Sequence, residues 1–216
     1  MKTITKILNY DDHIDSDKPN SISVTTLMGN MYKAQKYLDK APKTHFGDLV
    51  LKRSSFIGTS CHNRMEMILK QDETEYDLEI FKERDIIVDG VTYTIAGSCD
   101  VLEKTEDGTW IIMDLKTGYF KSYSEEKQKK DALQMSLYRW LNQDDYDIDD
   151  RAWVLAISQS NNYIDEIPVE LMSLEATQDY IENKLYAIAQ NTKVDCNDGI
   201  KYSACAYCNY DCEERK

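Results

Sequence analysis

The sequence predicts a mixed α/β domain with one central sheet flanked by helices. Segments rich in β-branched and apolar residues, separated by turn residues, occupy the middle of the chain, and segments with helical periodicity surround them. This pattern predicts strands over residues 85–88, 91–103, 109–116 and 152–158. It predicts helices over residues 24–39, 58–71, 121–141 and 174–190.

Local signals place the ends of these elements. The first helix ends before Pro42, because proline disfavours helical backbone in the residue that precedes it. Thr59 or Ser60 can cap the second helix. The Asp-Gly pair at residues 89–90 is a hairpin signal between the first two strands, and a turn at residues 106–108 joins the second strand to the third.

The composition is typical of a globular protein. The length of 216 residues is enough for one substantial domain. Hydrophobic residues make up 42% of the chain and charged residues 30%. We expect a single domain over residues 1–195, with a cysteine segment over residues 196–216 packed on it. No apolar run approaches the ~20 residues that cross a bilayer, and residues 1–20 lack the features of a signal peptide. We therefore expect a cytoplasmic protein (in the host cytoplasm if it is viral) with no membrane partner.

The net charge of −13 argues against nucleic-acid binding, which normally uses a basic surface. Clustered lysines, or divalent cations held between acidic side chains and phosphates, can still bind a phosphate backbone. A local cluster of this kind consists of Lys121, Lys127, Lys129 and Lys130. The charge therefore lowers the expectation of a nucleic-acid partner without excluding one.

The segment IMDLKTG carries an aspartate and a lysine at the end of the third strand. Alternation places Asp114 and Lys116 on one face and Leu115 on the other. Antiparallel pairing can bring Asp100 near Asp114, and two carboxylates ~4 Å apart repel by about 4 kcal/mol in a partly screened environment. Mg²⁺ or Mn²⁺ would offset this repulsion. An exposed ion pair of little energetic value is the structural alternative.

These residue types suit phosphodiester hydrolysis. A divalent cation lowers the pKa of the attacking water and neutralises charge on the phosphate. A lysine beside the cation, here Lys116, can orient the water or stabilise the anionic transition state.

Four motifs in order resemble the PD-(D/E)xK nuclease superfamily, and within it the RecB-like exonuclease branch. The family pattern is a helix with G-x3-H-x3-E, a strand with G-x-x-D, a strand ending in D-x-K-T, and a helix with Q-x3-Y. The matching residues are Gly58, His62 and Glu66, then Gly97 and Asp100, then Asp114, Leu115, Lys116 and Thr117, then Gln134 and Tyr138. The resemblance spans residues 58–138 and implies a restriction-endonuclease-like core.

The resemblance also implies a role for each residue. Two Mg²⁺ or Mn²⁺ ions would be bound by His62, Asp100, Asp114 and the carbonyl group of Leu115. Lys116 would be the catalytic lysine. Glu66, one helical turn beyond His62, would bind a metal through water or orient a ligand. A buried histidine packed in the core is the alternative for His62.

Gln134 and Tyr138 lie four residues apart and therefore share a helix face. In the resembling family these two residues position the DNA strand or the reactive phosphate. The alternative is a helix packed on the sheet, with Tyr138 in the core and Gln134 at its edge.

The C-terminal cysteines resemble the cluster of the iron–sulfur members of this branch, such as the AddB nuclease domain and the RecB-like nuclease of CRISPR adaptation. The candidate ligands are Cys196, Cys205, Cys208 and Cys212. In those proteins an upstream cysteine completes a [4Fe–4S] cluster, but no cysteine precedes Cys61 here. Cys196 or Cys61 could therefore serve as the fourth ligand. Zinc suits the same thiolates, and reduced thiols without a metal are the remaining alternative.

The motifs together favour a metal-dependent DNA exonuclease acting in DNA processing, recombination or repair. The chain has no helicase-like P-loop, so we expect a nuclease unit without its own motor. Such units occur alone, including in phages and mobile elements, or beside helicase or recombination partners. One alternative is a catalytically silent DNA- or protein-binding module. The other is an acidic inhibitor protein that mimics nucleic acid. The sequence does not indicate the oligomeric state.

Overall fold

The computed structural model describes residues 16–29, 31–41, 49–71, 74–119 and 121–190. Within these ranges, no helix combines the length and the apolar composition needed to cross a bilayer. The elements in chain order are β1 (Ser21–Ser23), α1 (Val24–Leu27), α2 (Met31–Leu38), α3 (Leu49–Leu69), β2 (Tyr76–Val88), β3 (Val91–Lys104), β4 (Trp110–Gly118), α4 (Glu125–Asn142), β5 (Ile148–Ser158), β6 (Ile164–Glu170) and α5 (Leu174–Ala189).

One mixed sheet of six strands forms the centre of the fold. Its strand order is β1-β3-β4-β5-β6, and β2 pairs with β3 outside this path. The β1–β3 and β4–β5 pairs are parallel, and the β3–β4 and β5–β6 pairs are antiparallel. The predicted class, a mixed α/β fold with a central mixed sheet, is confirmed.

Alternating burial along β5 shows which face of the sheet packs against a helix. Ala152, Val154 and Ala156 are fully buried, whereas the residues between them are partly exposed. Helix α4 contacts β4, β5 and β6. Its Met135 and Leu137 have no exposed surface, and burying such side chains contributes roughly 1.5–3 kcal/mol each, so α4 is part of the core.

The chain divides into two compact units. The first contains Met1–Ser55, Glu83–Ala96 and Asp179–Lys216, and the second contains Phe56–Lys82 and Gly97–Gln178. All described residues of the predicted metal and catalytic sites belong to the second unit. The predicted single domain over residues 1–195 and its cysteine segment over residues 196–216 stay predictions.

In the first unit, hydrogen bonds connect the short strand β1 and the residues around it. Ser23 is the N-cap of α1 and accepts a hydrogen bond from the backbone N–H of Thr26 at 3.2 Å. Asp85 accepts hydrogen bonds from the Thr94 hydroxyl at 2.7 Å and from Lys18 at 3.3 Å. The hydrogen bond from Thr94, followed by that from Lys18, lowers the pKa of Asp85.

The predicted helix over residues 24–39 is two helices, α1 and α2. The interruption lies at Gly29, whose N–H bonds to the carbonyl of Thr26 at 3.0 Å. Glycine is about 1 kcal/mol less favourable than alanine inside a helix. The helical periodicity was therefore right and the continuity was wrong.

Helix α3 begins at Leu49, whereas the sequence predicted a start at Gly58. Gly58 lies inside the helix, so Thr59 and Ser60 are not its caps. The Ser60 hydroxyl instead donates to the carbonyl of Phe56 at 2.8 Å, as serine does within helices. A glycine inside the helix was misread as its beginning.

Further differences from the prediction concern the start of one strand, one additional strand and the start of one helix. Strand β2 begins at Tyr76 rather than at residue 85, and β6 was not predicted at all. Pro168 lies in β6 and argues against a strand, but β6 is an edge strand, where proline is tolerated. Helix α4 begins at Glu125, four residues after its predicted start at residue 121, because Ser124 is its N-cap.

The predicted hairpin turn at residues 89–90 is confirmed. Asp89 and Gly90 have φ values of 49° and 74°. Two successive residues with positive φ match the twist of the flanking strands, and Asp-Gly tolerates this conformation.

Candidate metal and catalytic site

The register of β3 and β4 aligns two acidic residues. Val101 pairs with Met113 in antiparallel register, so the next position along the ladder sets Asp100 opposite Asp114. The backbone N–H of Leu115 donates a 3.1 Å hydrogen bond to Asp100 Oδ2. This bond fixes the orientation of the Asp100 carboxylate above the strand pair.

Helix α3 brings an imidazole to the same carboxylate. A Cβ atom on Gly58 would lie 3.0 Å from the hydroxyl of Thr117, so the helix passes close to β4 at this residue. One turn later, His62 Nδ1 lies 3.2 Å from Asp100 Oδ2. Gly58 thus allows a close approach of the helix to β4 one turn before His62.

Glu79 joins these two residues and was not singled out in the sequence. One ligand atom from each of His62, Glu79 and Asp100 lies within 4.8 Å of the others. Glu79 has a φ of 51° inside strand β2, which is uncommon for a residue other than glycine. Ser98 donates to Glu79 Oε2 at 3.4 Å. No motif spacing marks Glu79, and only its position in the folded β2 strand identifies it.

Asp114 lies deeper than Asp100 and next to the motif lysine. Its side chain is 3% exposed, and its Oδ2 atom lies 2.6 Å from Lys116 Nζ. The ammonium group is therefore the partner of this buried oxygen, and the two groups form a short ion pair. A carboxylate at this position is also a ligand type that Mg²⁺ or Mn²⁺ accepts.

Gln134 and Tyr138 on α4 are connected to Lys116. Lys116 Nζ donates to Gln134 Oε1 at 3.0 Å, and Gln134 Nε2 donates to the Tyr138 hydroxyl at 2.7 Å. Tyr138 is 6% exposed. Burial first, and the charge of Asp114 second, raise the pKa of Tyr138. The two residues therefore hold the lysine from the helix side, and their predicted contact with DNA stays a prediction.

A second buried aspartate approaches Lys116 from α4, and it was not singled out in the sequence. Asp131 is 6% exposed, and its Oδ1 atom lies 3.9 Å from Lys116 Nζ. The hydroxyl of Tyr123 donates to Asp131 Oδ2. Asp131 lies three residues before Gln134, one helical turn away on the same face, which is the signal that could have pointed to it.

Burial and neighbouring charge shift the titration of Asp100. Burial, and then the charge of Asp114, raise the pKa of Asp100 well above its usual range, while Lys116 and the Leu115 N–H act in the opposite direction. A raised carboxyl pKa means that the ionised form is not fully compensated by the protein. A cation bound beside Asp100 would therefore favour its ionised form.

Lys116 is held in its charged form. Burial lowers the pKa of Lys116, but attraction to Asp114 and then to Asp131 outweighs it, and the net pKa is raised. An ammonium group at this position can stabilise negative charge that develops beside it.

The remaining predicted site residues are placed as follows. Glu66 forms an ion pair with Lys70 one turn along α3, and it is not part of the His62–Glu79–Asp100 group. Its predicted role stays a prediction, as does that of the Leu115 carbonyl. The predicted cysteine ligands Cys196, Cys205, Cys208 and Cys212 lie outside the described residues.

The donor set fits a divalent cation. One imidazole nitrogen and two carboxylates converge at His62, Glu79 and Asp100, and Asp114 adds a buried carboxylate on the neighbouring strand. Carboxylate-rich sites of this kind suit Mg²⁺ or Mn²⁺. The arrangement is therefore a candidate carboxylate and histidine metal site with a lysine beside it.

Solved structures similar to this chain include two that illustrate the range of likeness. The crystal structure of SSO0001 matches with a TM-score of 0.61 and 20% identity, covering 85% of this chain and 84% of that chain. A protein of Eubacterium rectale, provisionally described as an exonuclease, matches with a TM-score of 0.49 and 9% identity, covering 82% of this chain and 84% of that chain. At 20% identity, the likeness to SSO0001 supports the fold of this chain and nothing about its activity.

Sequence comparison identifies the family. No curated protein matches the chain. The profile of the PD-(D/E)XK nuclease superfamily matches residues 33–212, which include every site residue described above. The central mixed sheet agrees with the restriction-endonuclease-like core of that family. The chain therefore belongs to the PD-(D/E)XK nuclease superfamily.

Proposed function

We propose that this protein is a divalent-metal-dependent DNA exonuclease of the RecB-like branch. The observation that carries the proposal is the convergence of His62, Glu79 and Asp100, whose ligand atoms lie within 4.8 Å of one another. The Asp114–Lys116 pair on the neighbouring strand supports it. Nothing in folding alone calls for the buried carboxylate of Asp114 beside a half-buried ammonium group, because a carboxylate is costly to remove from water.

Each side chain has a part in the proposed reaction. His62, Asp100, Asp114 and the Leu115 carbonyl would hold two Mg²⁺ or Mn²⁺ ions, with Glu79 as an additional carboxylate. A divalent cation bound there lowers the pKa of water and neutralises charge on the phosphate.

Lys116 orients the attacking water or stabilises negative charge on the phosphate. Gln134 fixes the Lys116 ammonium group by accepting its hydrogen bond at 3.0 Å. The Tyr138 hydroxyl in turn holds the Gln134 amide at 2.7 Å, so the lysine has a defined direction before DNA binds.

A degradation assay tests this proposal. Linear end-labelled DNA and covalently closed circular DNA would be incubated with the protein and Mn²⁺, Mg²⁺ or EDTA. We expect loss of linear DNA with either cation, no cleavage of the closed circle, and no activity in EDTA. Cleavage of the closed circle would identify an endonuclease, and activity in EDTA would exclude metal dependence.

Variants connect the activity to the site. Asp114→Ala and Lys116→Ala are each expected to abolish cleavage, because the first removes a buried ligand oxygen and the second removes the ammonium group. Glu166→Ala, on the exposed side of β6, is the matched control and is expected to retain activity. Full activity in either site variant would contradict the proposal.

The predicted cysteine cluster belongs to the same proposal. A [4Fe–4S] cluster bound by Cys205, Cys208 and Cys212, with Cys196 or Cys61 as the fourth ligand, is expected from the family resemblance, and zinc is the alternative. Measuring iron, sulfide and zinc in protein purified without oxygen separates the two. Protein free of both metals would reject the cluster.

A further inference from the structure

Asp131 is a buried acidic residue to which the proposed reaction gives no part. Its side chain is 8% exposed, and its Oδ1 atom lies 3.9 Å from Lys116 Nζ. Removing a carboxylate from water is costly unless a partner compensates for it. Burial is the main cause of the raised pKa of Asp131, and Lys116 and the Tyr123 hydrogen bond only partly oppose it. The fold therefore keeps a costly carboxylate beside the motif lysine.

Lys116 has charged partners on two sides. From strand β4, Asp114 Oδ2 approaches it at 2.6 Å. From helix α4, Asp131 approaches it at 3.9 Å, next to the neutral acceptor Gln134 at 3.0 Å. In the described part of the chain, these are the two carboxylates within ion-pair distance of the lysine.

The two carboxylates are not equivalent when a cation is bound. Asp114 is a predicted metal ligand, so its charge would then be shared with a divalent cation that repels the ammonium group. Gln134 carries no charge to oppose that repulsion. Asp131 lies on the helix side of Lys116 and is not a predicted metal ligand, so its charge stays available to the lysine.

We propose that Asp131, oriented by Tyr123, is the counter-charge that holds Lys116 in place when Asp114 binds the cation. Asp131 is thus a positioning residue that acts through Lys116. This inference rests on the proposed metal-dependent nuclease function.

Tyr123 fits this task because its hydroxyl donates to Asp131 Oδ2, which leaves Oδ1 directed at Lys116. Tyr123 is 8% exposed and directly precedes the N-cap Ser124 of α4. Burial, followed by the hydrogen bond to Asp131, raises the pKa of Tyr123. The hydroxyl therefore stays protonated and remains a donor throughout the neutral pH range.

Competitive acetylation of Lys116, quantified by peptide mass spectrometry, tests the inference without relying on catalysis. The wild type and Asp131→Asn would each be labelled in EDTA and in Mn²⁺. We expect slow labelling of the wild type in both conditions. We expect slow labelling of Asp131→Asn in EDTA, where Asp114 still pairs with the lysine, and labelling several-fold faster in Mn²⁺. Glu126→Gln, an exposed substitution on the same helix, should behave as the wild type.

Tyr123→Phe is a second variant in case Asp131→Asn does not fold. It keeps the carboxylate and removes its hydrogen bond, so we expect a smaller increase that again needs Mn²⁺. Equal labelling of wild type and both variants in Mn²⁺ would overturn the inference. Faster labelling in EDTA and Mn²⁺ alike would also overturn it, because general loosening of the helix would explain that result.

Kinetics give an independent measurement. Asp131→Asn is expected to lower kcat by about tenfold and leave the KM for DNA unchanged, as for a group that acts on the transition state alone. Asp131→Glu should restore part of the lost rate. A change in KM alone would contradict the positioning role.

A direct titration with Mn²⁺ separates failure of this inference from failure of the proposed function. If the wild type does not bind Mn²⁺, the proposed function itself fails, whatever the labelling result.

Discussion

His62 Nδ1 lies 3.2 Å from Asp100 Oδ2, so helix α3 and strand β3 present a nitrogen and an oxygen at the same point. The same carboxylate oxygen accepts a hydrogen bond from the Leu115 N–H at 3.1 Å. The orientation of Asp100 is thus determined from two directions. Because the backbone sets this arrangement, the proposed ligands need little rearrangement to bind a cation.

Removing the imidazole should weaken metal binding. We expect His62→Ala to raise the Kd for Mn²⁺ by about 10–100-fold, the range found when metal-site partners are removed. Electron paramagnetic resonance titration of free Mn²⁺ measures this directly. Asn63→Ala, an exposed neighbour on α3, should leave the Kd unchanged. An unchanged Kd in His62→Ala would show that the histidine is a structural residue.

Glu79 provides a prediction that does not depend on the sequence motifs. We expect Glu79→Gln to weaken Mn²⁺ binding by about tenfold, because the amide keeps the shape of the side chain and loses one ligand charge. Glu75→Gln, exposed near the beginning of the same strand, is the matched control. If both variants bind Mn²⁺ as the wild type does, Glu79 is close to the site and is not a ligand.

The arrangement of Asp100 and Asp114 was predictable from the sequence because local rules determine it. A short turn at residues 106–108 fixes the register of the strands that it joins. Alternation then decides which side chains share a face. The distance between His62 and Asp100 needed the family resemblance as well, since no local rule says where a helix crosses a sheet.

Glu79 and Asp131 could not be found in this way. Glu79 lies in a part of β2 whose charged residues hide the alternating pattern of a strand. Its backbone φ of 51° is not predicted by any short sequence pattern. Asp131 follows a run of lysines and reads as part of an exposed helical surface. Its burial depends on how α4 packs on the sheet, which is a tertiary effect.

Gly58 should control how closely α3 approaches the sheet. Alanine is favoured in a helix by about 1 kcal/mol over glycine, but its Cβ would lie 3.0 Å from the Thr117 hydroxyl. We expect Gly58→Ala to weaken Mn²⁺ binding severalfold, because relieving this contact by a shift of the helix would carry His62 away from Asp100. Thr59→Ala, exposed on the same turn, adds an alanine without that contact and should bind Mn²⁺ normally. Equal affinities of Gly58→Ala and the wild type for Mn²⁺ would show that the helix accommodates the added methyl group without moving His62.

The raised pKa of Asp100 predicts that the site lowers stability when no metal is bound. Burial, and then the charge of Asp114, raise this pKa well above its usual range. A group with a raised folded-state pKa contributes stability below its unfolded pKa of about 3.9, and that contribution is lost as the pH rises through the folded-state pKa. At pH ~7 in EDTA, Asp100 should therefore make the protein less stable than an uncharged side chain at this position would.

Asp100→Asn tests this prediction, because the amide removes the charge and can still accept the hydrogen bond from Leu115. In EDTA we expect the variant to be more stable than the wild type at pH ~7, on the order of 1 kcal/mol in the free energy of unfolding by urea, and equal to it near pH ~4. Saturating Mn²⁺ should reverse the order at neutral pH, since a ligand stabilises only the protein that binds it. A variant less stable than the wild type in EDTA at neutral pH would mean that the carboxylate is needed for folding. If the order of stabilities reverses in Mn²⁺ as expected, the protein tolerates an unfavourable charge at Asp100 so that the cation can bind.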